Sequence, residues 1–232
     1  MTVIPYILPG GMNTSLREVF QLFHQYNVPV VEIGIPMSDP IADGPTIERA
    51  GAEAIQKGMT LPSIAEELSH IPLRETRIAM LYTNTLLQYG LHDFVHWMRV
   101  GHITGVIIPD LPLEEQTYIR TYLKRHAIDF VQLVPLTASI ERMKMLVSQS
   151  APFIYAVTQN GTTGKRKRDA TFPEQIAQLR QLTNRPIYAG FGIQTKEDKA
   201  YYLQYADGVI IGSAFIRAFQ ENDQQTLKEL LT

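Results

Sequence analysis

The chain has 232 residues, 45% of them hydrophobic, and a formal net charge of −2. A chain of this size can bury one substantial core, and no linker or low-complexity segment divides it, so we expect a single domain over residues 1–232. The small net charge argues against a nucleic-acid or anionic-membrane partner, and the absence of cysteine excludes disulfides and thiolate metal sites. With no signal peptide and no apolar run of about 18 residues, the expected location is the cytoplasm.

Short apolar runs alternate with amphipathic stretches along the whole sequence. The apolar runs predict strands at residues 3–8, 28–35, 76–82, 105–110, 129–135, 153–158, 186–192 and 207–213. The amphipathic stretches predict helices at residues 15–26, 47–58, 91–101, 113–126, 139–149, 173–182, 196–206 and 214–231. Strands joined through helices are parallel, because a tight hairpin cannot connect parallel neighbours.

Eight strand–helix units predict an α/β fold of the (β/α)8 TIM-barrel type, whose usual length is about 250 residues. A doubly wound open sheet is the competing fold. It is disfavoured because PGGMN follows the first strand, where the GxGxxG signature of that fold would stand. The first strand begins so early that no helix precedes it, and we expect something else to cover the floor of the barrel.

A carboxylate lies inside the second predicted strand, and two more follow it. Glu32 interrupts the apolar run, while Asp39 and Asp43 lie in the next loop, which is rich in proline and glycine. Burial without a partner raises the pKa of a carboxyl group, so Glu32 could give and take protons near neutral pH. The alternative is a structural Glu32 that pairs with a cation or a backbone donor, and its side chain could point into the barrel or towards the helices. Asp39 equally suits an Asx turn before Pro40.

Other polar residues in the middle of the chain are weaker candidates. Tyr82 ends the third strand and Tyr155 lies in the sixth, and each suits either a pocket wall or the core. Asp110 ends the fourth strand and could instead cap the helix after it. His92 and His96 are four residues apart on a predicted helix, but no third ligand is near them, which favours a solvated helix edge over a metal site.

Glycine-rich junctions follow the last three strands. They are NGTTG (160–164), GFG (190–192) and IGS (211–213). In a barrel the loops after the seventh and eighth strands commonly bind phosphate. Glycine lets backbone N–H groups approach an anion, and a helix that begins at Ser213 would add its positive end, although turn chemistry alone also uses glycine. We expect a small phosphate ester as ligand, and a solvated loop at KRKRD (165–169).

Six motifs resemble the alpha subunit family of tryptophan synthase. They are EIGIPMSDPIADGP (32–45), LYTN (81–84), IIPDLPLEE (107–115), NGTTG (160–164), GFGI (190–193) and DGVIIGS (207–213), in family order. The resemblance implies a barrel lyase of tryptophan biosynthesis that cleaves indole-3-glycerol phosphate into indole and glyceraldehyde 3-phosphate. It implies no cofactor and no metal in this chain. The implied partner is a beta subunit that carries pyridoxal phosphate and receives indole, in a heterotetramer of two alpha and two beta chains.

The resemblance also implies roles for individual residues. Glu32 matches the general acid/base, and Asp43 matches the carboxylate that meets the indole N–H. Pattern and resemblance together predict a substrate-binding set of Tyr6, Tyr82, Tyr155, Thr163, Gly164, Phe191, Gly192, Gly212 and Ser213. Thr163 matches a residue of a loop that closes over the substrate, and Asp39, Pro40 and Asn84 match positions that face the beta subunit.

The sequence departs from the family pattern in places, and alternatives stay open. LPGGMN stands where LGDP is typical, and Gln159 stands where arginine is frequent. One alternative is another phosphate-binding barrel enzyme, which is disfavoured because no lysine lies at the strand ends. The other alternative is a catalytically weak barrel that acts mainly as the allosteric partner of a beta subunit.

Overall fold

The computed structural model describes residues 2–158 and 171–232. Its strands are all parallel and form one sheet in the order β5-β4-β3-β2-β1-β9-β8-β7-β6. They are β1 Thr2–Ile7, β2 Val30–Gly34, β3 Thr76–Met80, β4 Ile103–Ile107, β5 Asp129–Phe130, β6 Leu133–Pro135, β7 Ile154–Val157, β8 Ile187–Gly190 and β9 Gly208–Ile211. The predicted α/β barrel is confirmed, while the extent of the domain, residues 1–232, stays a prediction.

The predicted fifth strand is divided into two short strands that close the sheet. β5 pairs with β4, where Gly105 lies opposite Asp129, and β6 pairs with β7, where Leu133 lies opposite Tyr155. Between them the N–H of Gln132 donates to the hydroxyl of Ser150 at 2.9 Å. One short segment therefore continues the sheet at both of its ends, which closes the barrel.

Helices connect the strands and form the outer layer. The described residues contain α1 Leu16–Gln25, α2 Pro45–Gln56, α3 Leu61–Ser69, α4 Thr83–Val100, α5 Thr117–Arg125, α6 Ile140–Ser148, α7 Phe172–Arg180, α8 Lys196–Tyr202, α9 Ser213–Gln220 and α10 Gln224–Leu231. A single 3₁₀ turn, Leu113–Glu115, precedes α5. Within the two described ranges, no helix has the length and apolar character needed to cross a membrane.

Three helices differ from the sequence prediction, each for a local reason. The additional helix α3 begins directly after Thr60, its N-cap, whose hydroxyl accepts a hydrogen bond from the N–H of Ser63. Gly90 interrupts α4 with a φ of 71°, a left-handed conformation that glycine adopts easily. The predicted closing helix is two helices, because Asn222 has a φ of 52° and Asp223 caps the start of α10.

Alternate strand residues supply two separate apolar cores, one inside the barrel and one between strands and helices. Val31 and Ile33 belong to the outer core, together with helix residues such as Phe20. Tyr6 and Ile78 belong to the inner core, and both pair in register with Glu32. Because neighbouring residues in register share a face of the sheet, the Glu32 side chain points into the barrel.

The barrel's own side chains fill its floor at the N-terminal ends of the strands. The rings of Phe153 and Tyr188 lie 4.9 Å apart there, beside the inner-core residue Ile4. Gly208 provides the space, since a Cβ at that position would lie 2.8 Å from the Tyr188 ring and 2.4 Å from the carbonyl oxygen of Thr2. Aromatic packing from within the sheet therefore fills the floor of the barrel.

Candidate active site

A cavity of about 660 Å³ opens at the carboxyl ends of the strands. Its size and mixed character suit a small organic ligand, because such sites are mostly apolar with a few convergent polar groups. The lining brings together nearly all the described residues that the sequence analysis assigned to catalysis or substrate binding: Tyr6, Glu32, Asp43, Tyr155, Phe191, Gly192, Gly212 and Ser213. Apolar side chains complete the walls: Ile47, Met80, Leu133, Val157, Ile193 and Ile210.

Glu32 is a buried carboxyl group that faces this cavity from β2. It is only 2% exposed, and its Oε2 atom has no hydrogen-bond partner among the described residues. Burial, and then the charge of Asp43, raise the pKa of Glu32 from its usual value of 4.5 to about 8. The group is therefore protonated at neutral pH. Within residues 2–158 and 171–232 no cation pairs with Glu32, which removes the support for a structural ion pair.

Asp43 lies in the loop that joins β2 to α2, directly before the N-cap Gly44. The Tyr82 hydroxyl accepts the N–H of Ala42 at 3.0 Å and is hydrogen bonded to the Asp43 carboxylate. Burial raises the pKa of Asp43 to about 6, although the Tyr82 bond lowers it. At neutral pH Asp43 is thus largely ionised while Glu32 is neutral, and this division gives a proton donor close to a fixed negative charge.

Two tyrosines flank Glu32, Tyr6 from β1 and Tyr155 from β7. Each occupies space that a glycine provides: a Cβ on Gly34 would lie 2.2 Å from the Tyr6 hydroxyl, and one on Gly190 would lie 2.3 Å from the Tyr155 ring. Burial and the two nearby carboxylates raise the pKa of both tyrosines well above 10. Both side chains therefore stay neutral and can donate hydrogen bonds. The sequence analysis named the tyrosines and missed the two glycines that accommodate them.

The glycine-rich junctions after β8 and β9 line another part of the cavity. Phe191 and Gly192 have φ values of 70° and 78°, and the Thr158 hydroxyl holds this turn by donating to the carbonyl oxygens of Gly190 and Phe191. The Phe191 ring lies 5.5 Å from that of Tyr155. Gly212 is the N-cap of α9 and Ser213 is its first residue. The free N–H groups and the positive end of a helix favour an anion at this point.

The third predicted phosphate junction, NGTTG at 160–164, lies outside the described residues. Thr163 and Gly164 lie outside the described residues, as do Gln159 and the KRKRD run at 165–169. Their assignment to the site stays a prediction.

Tyr82 and Asp110 act on other residues, not on the main cavity. Tyr82 lines a small side pocket behind Asp43 and is absent from the wall of the large cavity, so its contact is with the carboxylate. Asp110 accepts the N–H and the hydroxyl of Thr83 at 2.8 Å and 2.9 Å. It therefore caps α4, the helix before its own strand, and not the helix that follows it.

The predicted partner residues lie on the surface near the same end of the barrel. Asp39 and Asn84 are exposed and Pro40 is half-buried, and the Asp39 carboxylate accepts a hydrogen bond from the hydroxyl of Ser38.

The histidine pair of α4 is not part of a metal site within the part of the chain that the structure describes. His92 is exposed and pairs with the adjacent Asp93. Among the described residues, no three histidine, cysteine or acidic side chains are grouped so that they could hold a metal ion.

Three polar residues that line the cavity, Thr46, Gln194 and Arg217, were not found from the sequence. Arg217 of α9 and Thr46 of α2 both line it, and the guanidinium Nη1 donates to the threonine hydroxyl at 3.4 Å. The two residues are 171 positions apart in the chain, so no local pattern could have paired them.

Comparison with known proteins gives one consistent result. The protein-family model described as Tryptophan synthase alpha chain matches residues 1–232. The tryptophan synthase alpha chain of Streptococcus mutans is 37% identical over 233 residues, covering 98% of this chain and 89% of the relative. That of Lactococcus lactis subsp. lactis is 39% identical over 225 residues, covering 95% and 89%.

Solved structures agree with the sequence relatives. Tryptophan synthase subunit alpha from Campylobacter jejuni superimposes with a TM-score of 0.84 at 32% identity, covering 99% of this chain and 92% of that one. A chain of tryptophan synthase from M. tuberculosis in its aminoacrylate-bound form gives a TM-score of 0.84 at 26% identity, with 99% and 90% covered.

Proposed function

This chain belongs to the tryptophan synthase alpha chain family, lyases that cleave indole-3-glycerol phosphate, and we propose that Glu32 and Asp43 perform the cleavage. The observation that carries the proposal is the pairing of a neutral Glu32 with an ionised Asp43 in one cavity, which the junctions at Gly192 and Gly212 also line. The acid, the fixed charge and the anion site then face three different parts of one substrate.

The first step transfers a proton from Glu32 to the substrate. The neutral carboxyl group protonates the ring carbon of indole that carries the glycerol phosphate chain. The ring becomes a cation whose charge lies largely on the indole nitrogen. Asp43 accepts the hydrogen bond of that N–H and stabilises the charge, which is effective because the carboxylate is already ionised and held in place by Tyr82.

The second step breaks the carbon–carbon bond and returns the proton. The Glu32 carboxylate removes the proton from the hydroxyl of the adjacent chain carbon, and the oxygen electron pair forms the aldehyde carbonyl. The bond between that carbon and the ring breaks, and its electron pair returns to the ring and neutralises the cation. The products are indole and glyceraldehyde 3-phosphate, and Glu32 is again protonated. No oxidant, reductant or further reactant enters the balance.

The remaining residues of the site bind the two ends of the substrate. The apolar walls beside Tyr6 and Phe191 suit the indole ring, and the N–H groups at Gly192, Gly212 and Ser213 suit the phosphate. We assign Thr163 and Gly164 to the same phosphate-binding loop set and to its closure over the substrate on the family resemblance alone.

A beta subunit is the partner that family membership implies for this chain. We propose a heterotetramer of two alpha and two beta chains, with Asp39, Pro40 and Asn84 at the contact. The apolar side chains of Ile41 and Leu87 support this surface, since they are 72% and 68% exposed and lie within three residues of Pro40 and Asn84. We further propose that pyridoxal phosphate serves only the beta subunit, that this chain uses neither cofactor nor metal, and that it works in the cytoplasm.

Indole release from indole-3-glycerol phosphate tests the catalytic assignment. Glu32→Gln keeps the shape of the side chain and removes the acid, so we expect kcat to fall by about 10²- to 10⁴-fold, both with and without beta subunit. Asp93→Asn, an exposed carboxylate outside the cavity, is the control and should match the wild type. If wild type and Glu32→Gln release indole at equal rates in both conditions, the proposal fails and the chain is a catalytically weak allosteric partner.

A further inference from the structure

Arg217 is a cationic side chain in the substrate cavity that the proposed mechanism does not use. It follows Ser213 by four residues on α9, so the two side chains lie on one face of the helix, one turn apart. Both line the cavity, together with the N-cap Gly212. The guanidinium therefore stands beside the backbone N–H groups to which we assign the phosphate.

Among the described residues, Arg217 has no counter-ion. Its described hydrogen bond, to the Thr46 hydroxyl, is 3.4 Å long and lies beyond the usual range for such bonds. Other arginines, Arg77, Arg142 and Arg180, each bind a carboxylate, whereas Arg217 forms no ion pair with any described residue. A half-buried guanidinium that faces a cavity and forms no ion pair with a described carboxylate is unfavourable unless a ligand supplies negative charge.

We propose that Arg217 is a substrate-binding residue that recognises the dianionic phosphate of the substrate and connects it to the loop of Asp43. The inference rests on the proposed function, because it needs the phosphate to lie at the start of α9. A guanidinium has five donors in a fixed fork, so one edge can bind phosphate oxygens while another donor keeps the Thr46 hydroxyl. Thr46 is the second residue of α2 and follows Asp43 by three positions. Phosphate binding thereby steadies the carboxylate at the opposite end of the substrate.

The reverse reaction, the condensation of indole with glyceraldehyde 3-phosphate, tests the two ends of the site independently. It gives one KM for the substrate that carries phosphate and another for indole, which does not. In Arg217→Met we expect the KM for glyceraldehyde 3-phosphate to rise about 10- to 100-fold, while the KM for indole stays within about twofold. Arg217→Lys keeps the charge and should recover part of the loss. Arg49→Met is the matched control, because Arg49 is an exposed arginine on α2 outside the cavity.

Several outcomes overturn the inference. An unchanged KM for glyceraldehyde 3-phosphate in Arg217→Met would refute it, and equal rises in both KM values would assign Arg217 to fold maintenance. If Arg217→Met does not fold, the decision passes to Arg217→Lys with inorganic phosphate as probe: phosphate should raise the Tm of this variant less than that of the wild type, and an equal rise refutes the inference. Failure of this inference can be told apart from failure of the proposed function. If Arg217→Met has unchanged KM values while Glu32→Gln is inactive, only the role of Arg217 is refuted.

Discussion

Glu32 and Glu75 are both buried carboxyl groups, one in β2 and the other just before β3, yet their surroundings are opposite. They are 2% and 5% exposed. The Glu75 carboxylate accepts a hydrogen bond from Nε of Arg77 at 2.8 Å, and its other oxygen lies 2.8 Å from Nε2 of His24. Its partner Arg77 also donates three hydrogen bonds to carbonyl oxygens at the ends of the helix layer, those of Leu68, Ile71 and Gly101. Glu32 has an oxygen without any described partner.

The difference lies in which face of the sheet each side chain occupies. Arg77 is on the outer face near the N-terminal ends of the strands, where its guanidinium also lies 5.0 Å from the Phe20 ring. Its hydrogen bonds to the carbonyl oxygens of Leu68 and Gly101 tie β3 to the ends of α3 and α4. Glu32 is on the inner face and is directed at the cavity. A buried charge with partners holds the fold together, whereas a buried carboxyl group with an unpartnered oxygen is a local cost to stability that is typical of functional sites.

The largest effect that separates the two regions is expected from Arg77→Met. It leaves the Glu75 carboxylate and three carbonyl oxygens without their buried donor, so the free energy of unfolding should fall by about 3–5 kcal/mol. Urea unfolding measures this, and kcat of the variant that remains folded should not change. Arg74→Met, at an exposed arginine three residues away, is the control. A loss below about 1 kcal/mol would show that the Glu75 region does not carry the stability assigned to it.

The double variant Glu75→Gln with Arg77→Met sharpens this result. It removes the uncompensated carboxylate together with its partner, so part of the lost stability should return. A double variant as unstable as the sum of its parts would mean that the two side chains act independently.

Replacing Glu32 should raise the free energy of unfolding, opposite to Arg77→Met, and the gain should depend on pH. Its pKa is about 8 in the folded protein and near 4.5 when unperturbed. The folded state therefore binds the proton more tightly, and this contribution to stability is complete below about pH 4.5 and is lost as the pH rises through about 8. Glu32→Gln does not titrate, so relative to the wild type it should gain about 3–4 kcal/mol between pH 5 and pH 8.5.

Unfolding free energies at pH 5, 6.5 and 8.5 test this gain. Glu66→Gln, an exposed glutamate on α3, should show the same difference from the wild type at all three values. A Glu32→Gln variant whose difference is equally flat would mean that the Glu32 pKa is not raised.

The sequence predicted the fold well because parallel buried strands leave a strong apolar signal. Its errors lie where tertiary contacts or single backbone conformations decide. The division of residues 129–135 depends on the bond from Gln132 to Ser150, eighteen positions away, and the break between α9 and α10 depends on the left-handed Asn222. The cap of α3 was a local signal that could have been used.

Site residues were predictable where a local motif or a strand end marks them and were missed where only the packing of distant elements places them. Glu32 and Asp43 lie on one strand and its loop, and the motifs around them gave the family and the lyase activity, which the match over residues 1–232 confirms. The inward direction of Glu32 needed the register with the neighbouring strands. Arg217 was missed because its place in the cavity is set by the packing of α9 on α2.

The pH dependence of kcat/KM tests the division of labour inside the cavity. The reaction needs Asp43 ionised and Glu32 protonated, so the profile should be bell-shaped, falling below about pH 6 and above about pH 8. Outside these values the slope should approach about tenfold per pH unit. The residual kcat/KM of Asp43→Asn should no longer fall below about pH 6, because the group responsible for the acidic limb is absent. Glu75→Gln should keep both limbs, and a profile that Glu75→Gln changes as much as Asp43→Asn would break the distinction between the two regions.

Tyr82→Phe is expected to give the smallest effect, because it alters the cavity only through Asp43. The Tyr82 hydroxyl lowers the pKa of Asp43, so its removal should move the acidic limb of kcat/KM from about pH 6 towards neutrality and leave the basic limb in place. At pH 7 the loss of kcat/KM should stay below about tenfold. Tyr89→Phe, a half-buried tyrosine on α4, is the control for losing a hydroxyl and should move neither limb. If Tyr82→Phe shifts the basic limb and leaves the acidic limb unmoved, the limbs belong to the opposite residues. Glu32 would then be the ionised group of the pair, and its unpaired oxygen would need another explanation.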